Sequence, residues 1–378
     1  MNIKRILAIA KKEFIQIRRD PRSLTLALVI PVILLIIFGF GLSLDIDRVG
    51  MVIWNQDRSS QLTQDFIVNF KNSKYFNIVG YTDNYEEIVK LIDSRRIMMG
   101  LVIPKYFSQY LNSGQAAPLQ LLVDGSDSNT ATIAMGYVRS VVSRYNMELL
   151  VNTLTKNGIT PSKAVELRSR VWFNMGLSSR WYIIPGTIAM IIMIIAALLT
   201  SLTVAREWER GTMEQLISTP VKSFEIVIGK FIPYFAIGFF DLLVGIVMAV
   251  FVFGVPLRGN IFILIILSTL FLTGALSMGI FISTVARTQL LASQMAMLTT
   301  FIPTMLLSGF IYPIFNMPAA VQAITYLVPA RYYIVILREI FLKGAGAGVL
   351  WDEAVFLFIF GFAMLLITVR RFKKKIPA

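Results

Sequence analysis

Two groups of charged residues stand out in a strongly apolar sequence. The first is a run of acids and bases, namely Arg206, Glu207, Glu209, Arg210 and Glu214. The second is a single carboxylate, Asp241, within a long apolar stretch. Cysteine and histidine are both absent, which excludes thiol chemistry, disulfides and the commonest general base and metal ligand. These residue types favour electrostatic contact with a partner or an ion over enzymatic chemistry.

The elements that must position these charges are apolar helices. The chain is 56% hydrophobic and 15% charged, whereas soluble domains carry about 25% charged residues. The sequence predicts a membrane protein, mainly α-helical, with six transmembrane helices, because it holds six apolar runs near the ~20 residues that cross a bilayer. The first span is predicted within 23–44, and the other five lie within 181–378, at 183–204, 224–253, 261–285, from 290 to about 311, and 351–369.

The charged run lies between the second and third predicted spans, so the chain has reached water there. Gly211 and Thr212 interrupt the charges, and the Thr212 hydroxyl is expected to cap a short helix that Pro220 ends. The segment 206–221 is therefore predicted to form a short amphipathic helix at the membrane surface. Its apolar face would hold Met213, Leu216 and Ile217.

This segment resembles the coupling helix of the ABC-2 family of ABC exporter permeases. The family pattern is matched by Arg206-Glu207, Glu209-Arg210-Gly211-Thr212 and Glu214-Gln215-Leu216, and it closes with Pro220. The resemblance implies docking on a separate cytoplasmic ABC ATPase subunit, which uses ATP and Mg, while this chain binds no cofactor and is not itself an enzyme. The alternative is a charged turn that only keeps the loop in water.

Residues 1–22 are predicted to form an amphipathic elbow helix in the membrane interface. Lys12-Glu13-Phe14 resembles the usual core of the elbow helix that precedes the first span in the same family. The predicted apolar stripe holds Ile3, Ile6, Leu7, Ala10, Phe14 and Ile17. A plain topology anchor is the alternative interpretation of this segment.

A third match lies at the outer end of the fifth predicted span. Leu307-Ser308-Gly309-Phe310-Ile311-Tyr312-Pro313 resembles another family signature, and we expect Ser308, Gly309, Tyr312 and Pro313 to form part of an outer gate. Prolines then divide 313–330 into short pieces. We expect a re-entrant or interfacial segment there, because irregular backbone at membrane depth must be covered by protein.

Residues 45–180 are predicted to form a mixed α/β domain outside the cytoplasm. Strands are predicted at 49–54, 75–81, 98–103 and 119–123, and helices at 58–71, 84–95, 105–112 and 127–157. This alternation is typical of a small layered fold. The domain has neither a glycine-rich phosphate loop nor a cluster of metal ligands in its sequence.

The distribution of charge favours a membrane surface over a nucleic acid as the reason for the net charge of +14. Residues 1–22 hold seven basic and two acidic residues, and 370–375 hold five basic ones. Because basic residues flank spans on the cytoplasmic side, both termini, including the basic tail 370–378, are expected in the cytoplasm. The expected location is a bacterial cytoplasmic (inner) membrane.

Three charged residues lie inside or beside the third predicted span. An ionised carboxylate at membrane depth costs at least ~2.5–3.5 kcal/mol. Asp241 is therefore a pathway residue or a proton-sensitive switch, or else a carboxylate that is satisfied by a neighbouring helix or brought near the outer interface by a tilt of the span. Lys230 and Glu225 are expected to snorkel to the inner interface. Gly229-Lys230 is the only Gly-Lys pair, and Phe224 stands where a phosphate-binding loop needs its first glycine.

The leading hypothesis is the permease subunit of an ATP-driven exporter of drugs, small amphiphiles or ions, paired with a second copy or a paralogue. Small residues such as Gly274, Ser277 and Gly279 permit close helix contact, including a dimer seam. An envelope adaptor is a further possible partner of 45–180. The alternatives are an ion-coupled antiporter that uses Asp241, and a receptor or scaffold that presents 45–180.

Overall fold

A computed structural model describes residues 2–42, 48–156, 172–174 and 178–372 of the chain. The chain divides into two compact units, one made of Met1–Ser43 with Arg170–Ala378 and the other of Leu44–Ser169. The last six residues of the predicted basic tail, 373–378, lie outside the described residues, as do 43–47 and 157–171, which belong to the predicted external domain or its borders.

The first unit begins with a helix that is separate from the first apolar helix. Helix α1 spans Ile3–Arg19, and the short α2 spans Pro21–Leu24. A π-helical turn at Thr25–Val29 leads into α3, Ile30–Gly41, and together they form one short apolar helix, Thr25–Gly41. The predicted first span, 23–44, overlaps this helix, and its last two residues lie outside the described residues.

The second unit is a four-stranded sheet covered by helices. In chain order its elements are β1 Val49–Asn55, α4 Gln61–Lys71, β2 Phe76–Tyr81, α5 Tyr85–Asp93, β3 Met99–Ile103, α6 Phe107–Asn112, β4 Gln120–Val123 and α7 Ser128–Lys156. The strand order is β2-β1-β3-β4, with β1 parallel to β2 and β3, and β4 antiparallel to β3. These bounds confirm the four strands and the helices that the pattern predicts between them.

The sheet buries both of its faces because alternate residues point to opposite sides. Met51, Ile53, Met99 and Leu101 pack under α4 and α7. Val52 and Val102 pack on the opposite face with Ile88 of α5 and Ile97. The two central strands, β1 and β3, are almost fully buried, which explains why β3 is a continuous apolar run.

The rest of the first unit is helical. Its elements are α8 Ser179–Glu209, α9 Thr212–Ser218, α10 Ser223–Val247, α11 Ile261–Ala286, α12 Gln289–Ala296, α13 Ile302–Leu307, α14 Ala319–Thr325, α15 Pro329–Arg338 and α16 Trp351–Arg371. Further π-helical turns follow α10, α12 and α15. Among the described residues, five helices have the length and composition to cross a membrane, and a bent pair of Ala319–Thr325 and Pro329–Lys343 raises this to six at most.

Helix α8 is the centre of the first unit. In its most apolar stretch 83% of the residues are buried, compared with 17% in Trp351–Arg371. Helices α3, α10, α11 and α15 pack around it. Gly279 of α11 lies against Ala197 and Thr200, and the Thr200 hydroxyl donates a hydrogen bond to the Leu276 carbonyl at 3.1 Å. A central helix of this kind moves only together with its neighbours.

The small residues of α11 serve contacts within the chain. Gly274 lies against the Phe360 ring and against Gly361 of α16, and the Thr368 hydroxyl donates to the Ser277 carbonyl at 2.9 Å. Because side chains of this same chain cover Gly274 and Gly279, these two glycines do not form the dimer seam that the sequence allowed.

One buried carboxylate connects three elements of the α/β unit. Asp57 Oδ2 accepts hydrogen bonds from the Ser108 backbone N–H at 2.9 Å and from the Thr63 hydroxyl at 3.1 Å. Burial alone would raise the pKa of Asp57, but these hydrogen bonds outweigh it and lower the pKa below its ordinary value. The depressed pKa means that this stabilisation is present above the unfolded pKa and is lost as pH falls through the folded pKa.

We expect Asp57→Ala to lower the free energy of unfolding of the α/β unit by about 1.5–3 kcal/mol, the usual contribution of hydrogen bonds to a charged group. Hydrogen–deuterium exchange of the full chain should then accelerate in peptides that cover 61–71 and 107–112. Asp93→Ala removes an exposed carboxylate from α5 and is the matched control. Equal exchange in the two variants would contradict the bonding role of Asp57.

Candidate functional site

The predicted coupling segment is a helix end, a glycine turn and a short helix. Residues 206–209 form the last turn of α8, and only Thr212–Ser218 forms the short helix α9. Gly211 has φ of 70° and is the N-cap of α9, a conformation that glycine adopts without steric cost. The prediction that the Thr212 hydroxyl caps the helix is wrong, because Thr212 follows the turn and its hydroxyl donates to the Glu207 carbonyl at 3.4 Å.

Helix α9 is amphipathic, as predicted. Met213 is buried, and Leu216 and Ile217 pack beside it against Ile9, Val204, Ile226, Val227 and Ile280. Glu214 and Gln215 are exposed on the opposite side, as are Glu209 and Arg210 just before the helix. The exposed polar face and the buried apolar face give this tip a surface for a partner and a firm attachment to the spans.

The elbow helix α1 has two apolar faces where the sequence predicted one stripe. Ile6, Ile9, Ala10 and Ile17 are buried, and Gly229 lets α10 approach Ile9 closely. By contrast, Ile3, Leu7 and Phe14 are 62%, 57% and 56% exposed. The first face packs against α10, and the second is available to the membrane interface.

The three side chains of the motif Lys12-Glu13-Phe14 have different surroundings. Phe14 faces outward, whereas Glu13 is buried and its Oε1 lies 2.5 Å from Nζ of Lys230. The Tyr234 hydroxyl donates to the other Glu13 oxygen at 3.4 Å. Lys230 is 0% exposed, so the predicted snorkelling of Lys230 is wrong. The elbow helix covers this lysine, which therefore has no route to water.

Glu207 completes a row of alternating charges. Its Oε1 lies 2.7 Å from Nζ of Lys12 and 3.1 Å from Nζ of Lys230. We call Lys12, Glu207, Lys230 and Glu13 the charge cluster; it holds two positive and two negative groups. The cluster joins α1, the end of α8 and the first half of α10. Removal of one partner from such a buried pair leaves an uncompensated charge.

A second set of bonds fixes the start of α1 to the start of α10. Glu225 accepts the Asn2 N–H at 2.8 Å and the Lys222 N–H at 3.0 Å, and Arg5 donates to the Pro220 carbonyl at 2.6 Å. Glu225 is 2% exposed, so it caps α10 and does not snorkel as predicted. Its position follows from the N–H groups that a helix start leaves unpaired.

The end of α8 is also bound to the start of α12. Arg206 lies 3.4 Å from Asp20 and donates to Gln289 at 3.2 Å, while the Gln289 N–H donates to Glu209 at 2.7 Å. The predicted coupling residues Arg206 and Glu207 are thus buried against other parts of the same chain. From the rest of the predicted set, Glu209, Arg210, Glu214 and Gln215 present an accessible polar surface.

We expect Lys230→Met to lower the free energy of unfolding by about 3–5 kcal/mol, because two buried carboxylates lose their shared cation. The triple variant with Glu13→Gln and Glu207→Gln should recover much of this loss, since it leaves no buried charge unpaired. Thermal unfolding of the detergent-solubilised chain measures both effects. Lys222→Gln, at an exposed lysine just before α10, is the control, and a triple variant as unstable as the single one would refute the explanation.

The predicted outer-gate residues lie at the opposite end of α8 from Glu207. Helix α13 ends at Leu307, and Gly309 takes a φ of 78°. Ser308 is buried and its hydroxyl accepts the Phe310 N–H at 3.3 Å. Tyr312 is 60% exposed, and Pro313 precedes a single helical turn. The motif therefore forms a tight turn that follows the fifth span.

The bent pair that follows this turn extends further than the predicted segment 313–330. Helices α14 and α15 meet at 83°, and α15 with its π-helical turn continues to Lys343. Tyr333, Ile334, Leu337 and Ile340 are fully buried, so this arm of the pair packs inside the first unit. Prolines marked the break correctly, but they carried no information about the length of the helix after it.

Arg338, which the sequence analysis did not single out, holds the turn in place. Its guanidinium lies 3.5 Å from the centre of the Tyr182 ring and donates to the Gly309 carbonyl at 3.1 Å and the Phe310 carbonyl at 3.4 Å. The Tyr182 hydroxyl also donates to Gly309, at 3.1 Å. Within the described residues no carboxylate pairs with Arg338. The sequence feature that could have identified Arg338 is its position as an arginine within a largely apolar segment.

We expect Arg338→Lys to destabilise this turn, because an ammonium cannot both stack on Tyr182 and bridge two carbonyls. Hydrogen–deuterium exchange in 306–312 should accelerate, and the free energy of unfolding should fall by about 1–3 kcal/mol. Arg258→Lys, at an exposed arginine outside this contact, is the control. Unchanged exchange at 306–312 in Arg338→Lys would show that packing alone holds the turn.

Asp241 is separate from both sets of contacts. It is 6% exposed, and its Oδ2 atom has no hydrogen-bond partner among the described residues. It lies eleven residues past Lys230 on α10, roughly 16 Å further along the helix axis. Gly238 packs against Leu272 and Gly245 against Ile188 on this helix. The carboxylate therefore lies in the middle of a spanning helix, distant from the charge cluster.

Comparison with known proteins gives one consistent result. The profile of a family described as "ABC-2 family transporter protein" matches residues 21–370. The Escherichia coli (strain K12) protein named "Probable multidrug ABC transporter permease YbhS" is 40% identical over 94% of this chain and 93% of its own length. "Probable multidrug ABC transporter permease YbhR" of the same strain is 31% identical over 92% and 93%. "Inner membrane transport permease YhhJ" is 30% identical over 75% of both chains.

Proposed function

Because this chain belongs to the ABC-2 family of ABC transporters, we propose that it is driven by a separate ATPase chain that docks on its α9 tip. Membership in this family confirms the resemblance found in the sequence. The chain is therefore a permease, which is the multi-pass membrane subunit of a transporter. Two relatives carry multidrug permease names, which supports drugs or other small amphiphiles as the cargo exported by this chain.

The observation that carries this proposal is the firm attachment of the exposed tip. Glu209, Arg210, Glu214 and Gln215 present a polar surface, while the charge cluster behind them joins α8, α10 and α1. A push on α9 is therefore transmitted to two spans and the elbow helix at once. A partner that binds the tip differently with and without ATP supplies the free energy for the change.

The proposed topology places the tip, α1 and both termini in the cytoplasm. The basic residues within 1–22 and 370–375 support this orientation, and a relative named an inner membrane permease supports the bacterial inner membrane. With these ends inside, the α/β unit that follows the first apolar helix is extracytoplasmic. An envelope adaptor is not part of the proposal.

A second permease chain completes the proposed transporter, with ATP and Mg bound by the ATPase subunits. Two different permeases of one bacterial strain both match this chain over most of its length, so a paralogue is as suitable a partner as a second copy. We prefer the exporter hypothesis to the ion-coupled antiporter and to the receptor or scaffold, because neither of these two alternatives gives the attached tip a role.

Asp241 is the proposed cargo-pathway residue. A buried carboxylate oxygen without a partner in the part of the chain that the structure describes is an expensive feature in a membrane span. A cationic amphiphile that approaches α10 would satisfy this oxygen. The outer turn at Ser308, Gly309, Tyr312 and Pro313 is the proposed exit gate, which the contact of Arg338 with Gly309 holds in one conformation.

We expect the tagged chain to co-purify with an ATP-hydrolysing subunit from its native membrane. Glu214→Ala with Gln215→Ala should weaken this association about tenfold, a loss of ~1.4 kcal/mol, because both side chains lie on the exposed face of α9. Asp352→Ala removes an exposed acid from the first turn of α16 and should have no effect. Association that is absent in the wild type, or unchanged in the α9 variant, would refute the docking site.

A further inference from the structure

A cavity of about 810 Å³ lies between the second half of α1 and the end of α8. Its basic side chains are Lys12, Arg19, Arg206 and Arg210, and Asp20 is the one carboxylate among the residues that line it. It is open to the surface of the first unit, and Arg210 is the one residue that it shares with the polar surface of the tip. The preponderance of cations indicates a site for an anion.

The ion pairs at this cavity leave two cations in excess. Lys12 pairs with Glu207 at 2.7 Å, and Arg206 lies 3.4 Å from Asp20. Arg19 and Arg210 are both exposed, and neither forms an ion pair in the described part of the chain. Two arginines whose planar groups bind phosphate oxygens in a forked geometry therefore remain available on the two sides of the cavity.

The remaining wall of the cavity is apolar and leads into the spans. Leu26 belongs to the first apolar helix, Thr25–Gly41, and Leu202 to α8. Ile15, on the elbow helix, is 40% exposed. A small inorganic anion would use the arginines but would leave this wall and most of the volume unoccupied. A molecule with an anionic head and an apolar tail uses both.

We propose that this cavity binds an anionic phospholipid. The phosphate lies between Arg19 and Arg210, and the acyl chains follow Ile15, Leu26 and Leu202 into the bilayer. Basic pockets between helices at a membrane surface are suited to such headgroups. The site shares Lys12 with the charge cluster, so a bound lipid stabilises the junction of the elbow helix with α8. The proposal requires only that the chain spans a membrane, and neither the cargo nor the ATPase enters it.

The test is native mass spectrometry of the full chain, purified in detergent, stripped of lipid and titrated with phosphatidylglycerol or with phosphatidylcholine of the same acyl chains. We expect tighter binding of phosphatidylglycerol. Arg19→Gln and Arg210→Gln should each weaken it about fivefold, while Arg19→Lys, which keeps the charge, retains most of it. Lys11→Gln and Arg18→Gln are the controls, since both residues are exposed cations of α1 that do not line the cavity.

Three results would overturn the proposal. Equal binding of the two lipids would show that the cavity does not select a charged headgroup. Equal losses in the control variants would show a diffuse attraction to the basic helix. Displacement of phosphatidylglycerol by inorganic phosphate or glycerol phosphate at the same concentration would show a site for a free anion. Thermal unfolding of every variant excludes misfolding as the cause, and because no ATPase is present, the result is independent of the docking experiment.

Discussion

Lys230 is buried between Glu13 and Glu207, and the arrangement of the first unit depends on this contact. An ammonium group without a counterion in this position would cost several kcal/mol. Glu13 is 217 residues away in the chain, so α1 must lie on α10 for the lysine to be neutralised. Glu207 must point back from the end of α8 for the same reason. The elbow helix, two spans and the tip between them therefore have one mutual arrangement that brings both carboxylates to Lys230.

The contacts at the two ends of α8 suit this helix to the proposed coupling. Glu207 lies at one end in the charge cluster, and Tyr182 lies at the other end against Arg338. These residues are 25 positions apart, roughly 38 Å along a helix. Because α8 is buried along most of this length, a displacement of the tip reaches the outer turn through one packed element. A continuous packed helix that is bonded at both ends is a physical route for coupling.

The elbow helix has three faces with different contacts, which its single apolar sequence pattern does not distinguish. One side buries Ile6, Ile9 and Ala10 against α10, and another leaves Leu7 and Phe14 exposed. Its second half contributes Lys12 and Arg19 to the basic cavity beside α8. The helix thus contacts protein, membrane interface and the proposed lipid on three sides. In the proposed transporter, this arrangement places the bilayer in direct contact with the part of the permease on which the ATPase docks.

The sequence by itself determined the local structure and the family. Apolar runs indicated the later spans, period-two and helical patterns indicated the strands and helices of the α/β unit, and the residues around Gly211 indicated the tip. These properties depend on neighbours within a few positions, which periodicity reports. Only the tertiary structure decided that Lys230 is buried rather than snorkelling, that Glu207 faces the elbow helix rather than a partner, and that Arg338 holds the turn at Gly309. Each of these outcomes depends on a partner that is 23 to more than 200 residues away, and no local pattern specifies which distant group neutralises a charge.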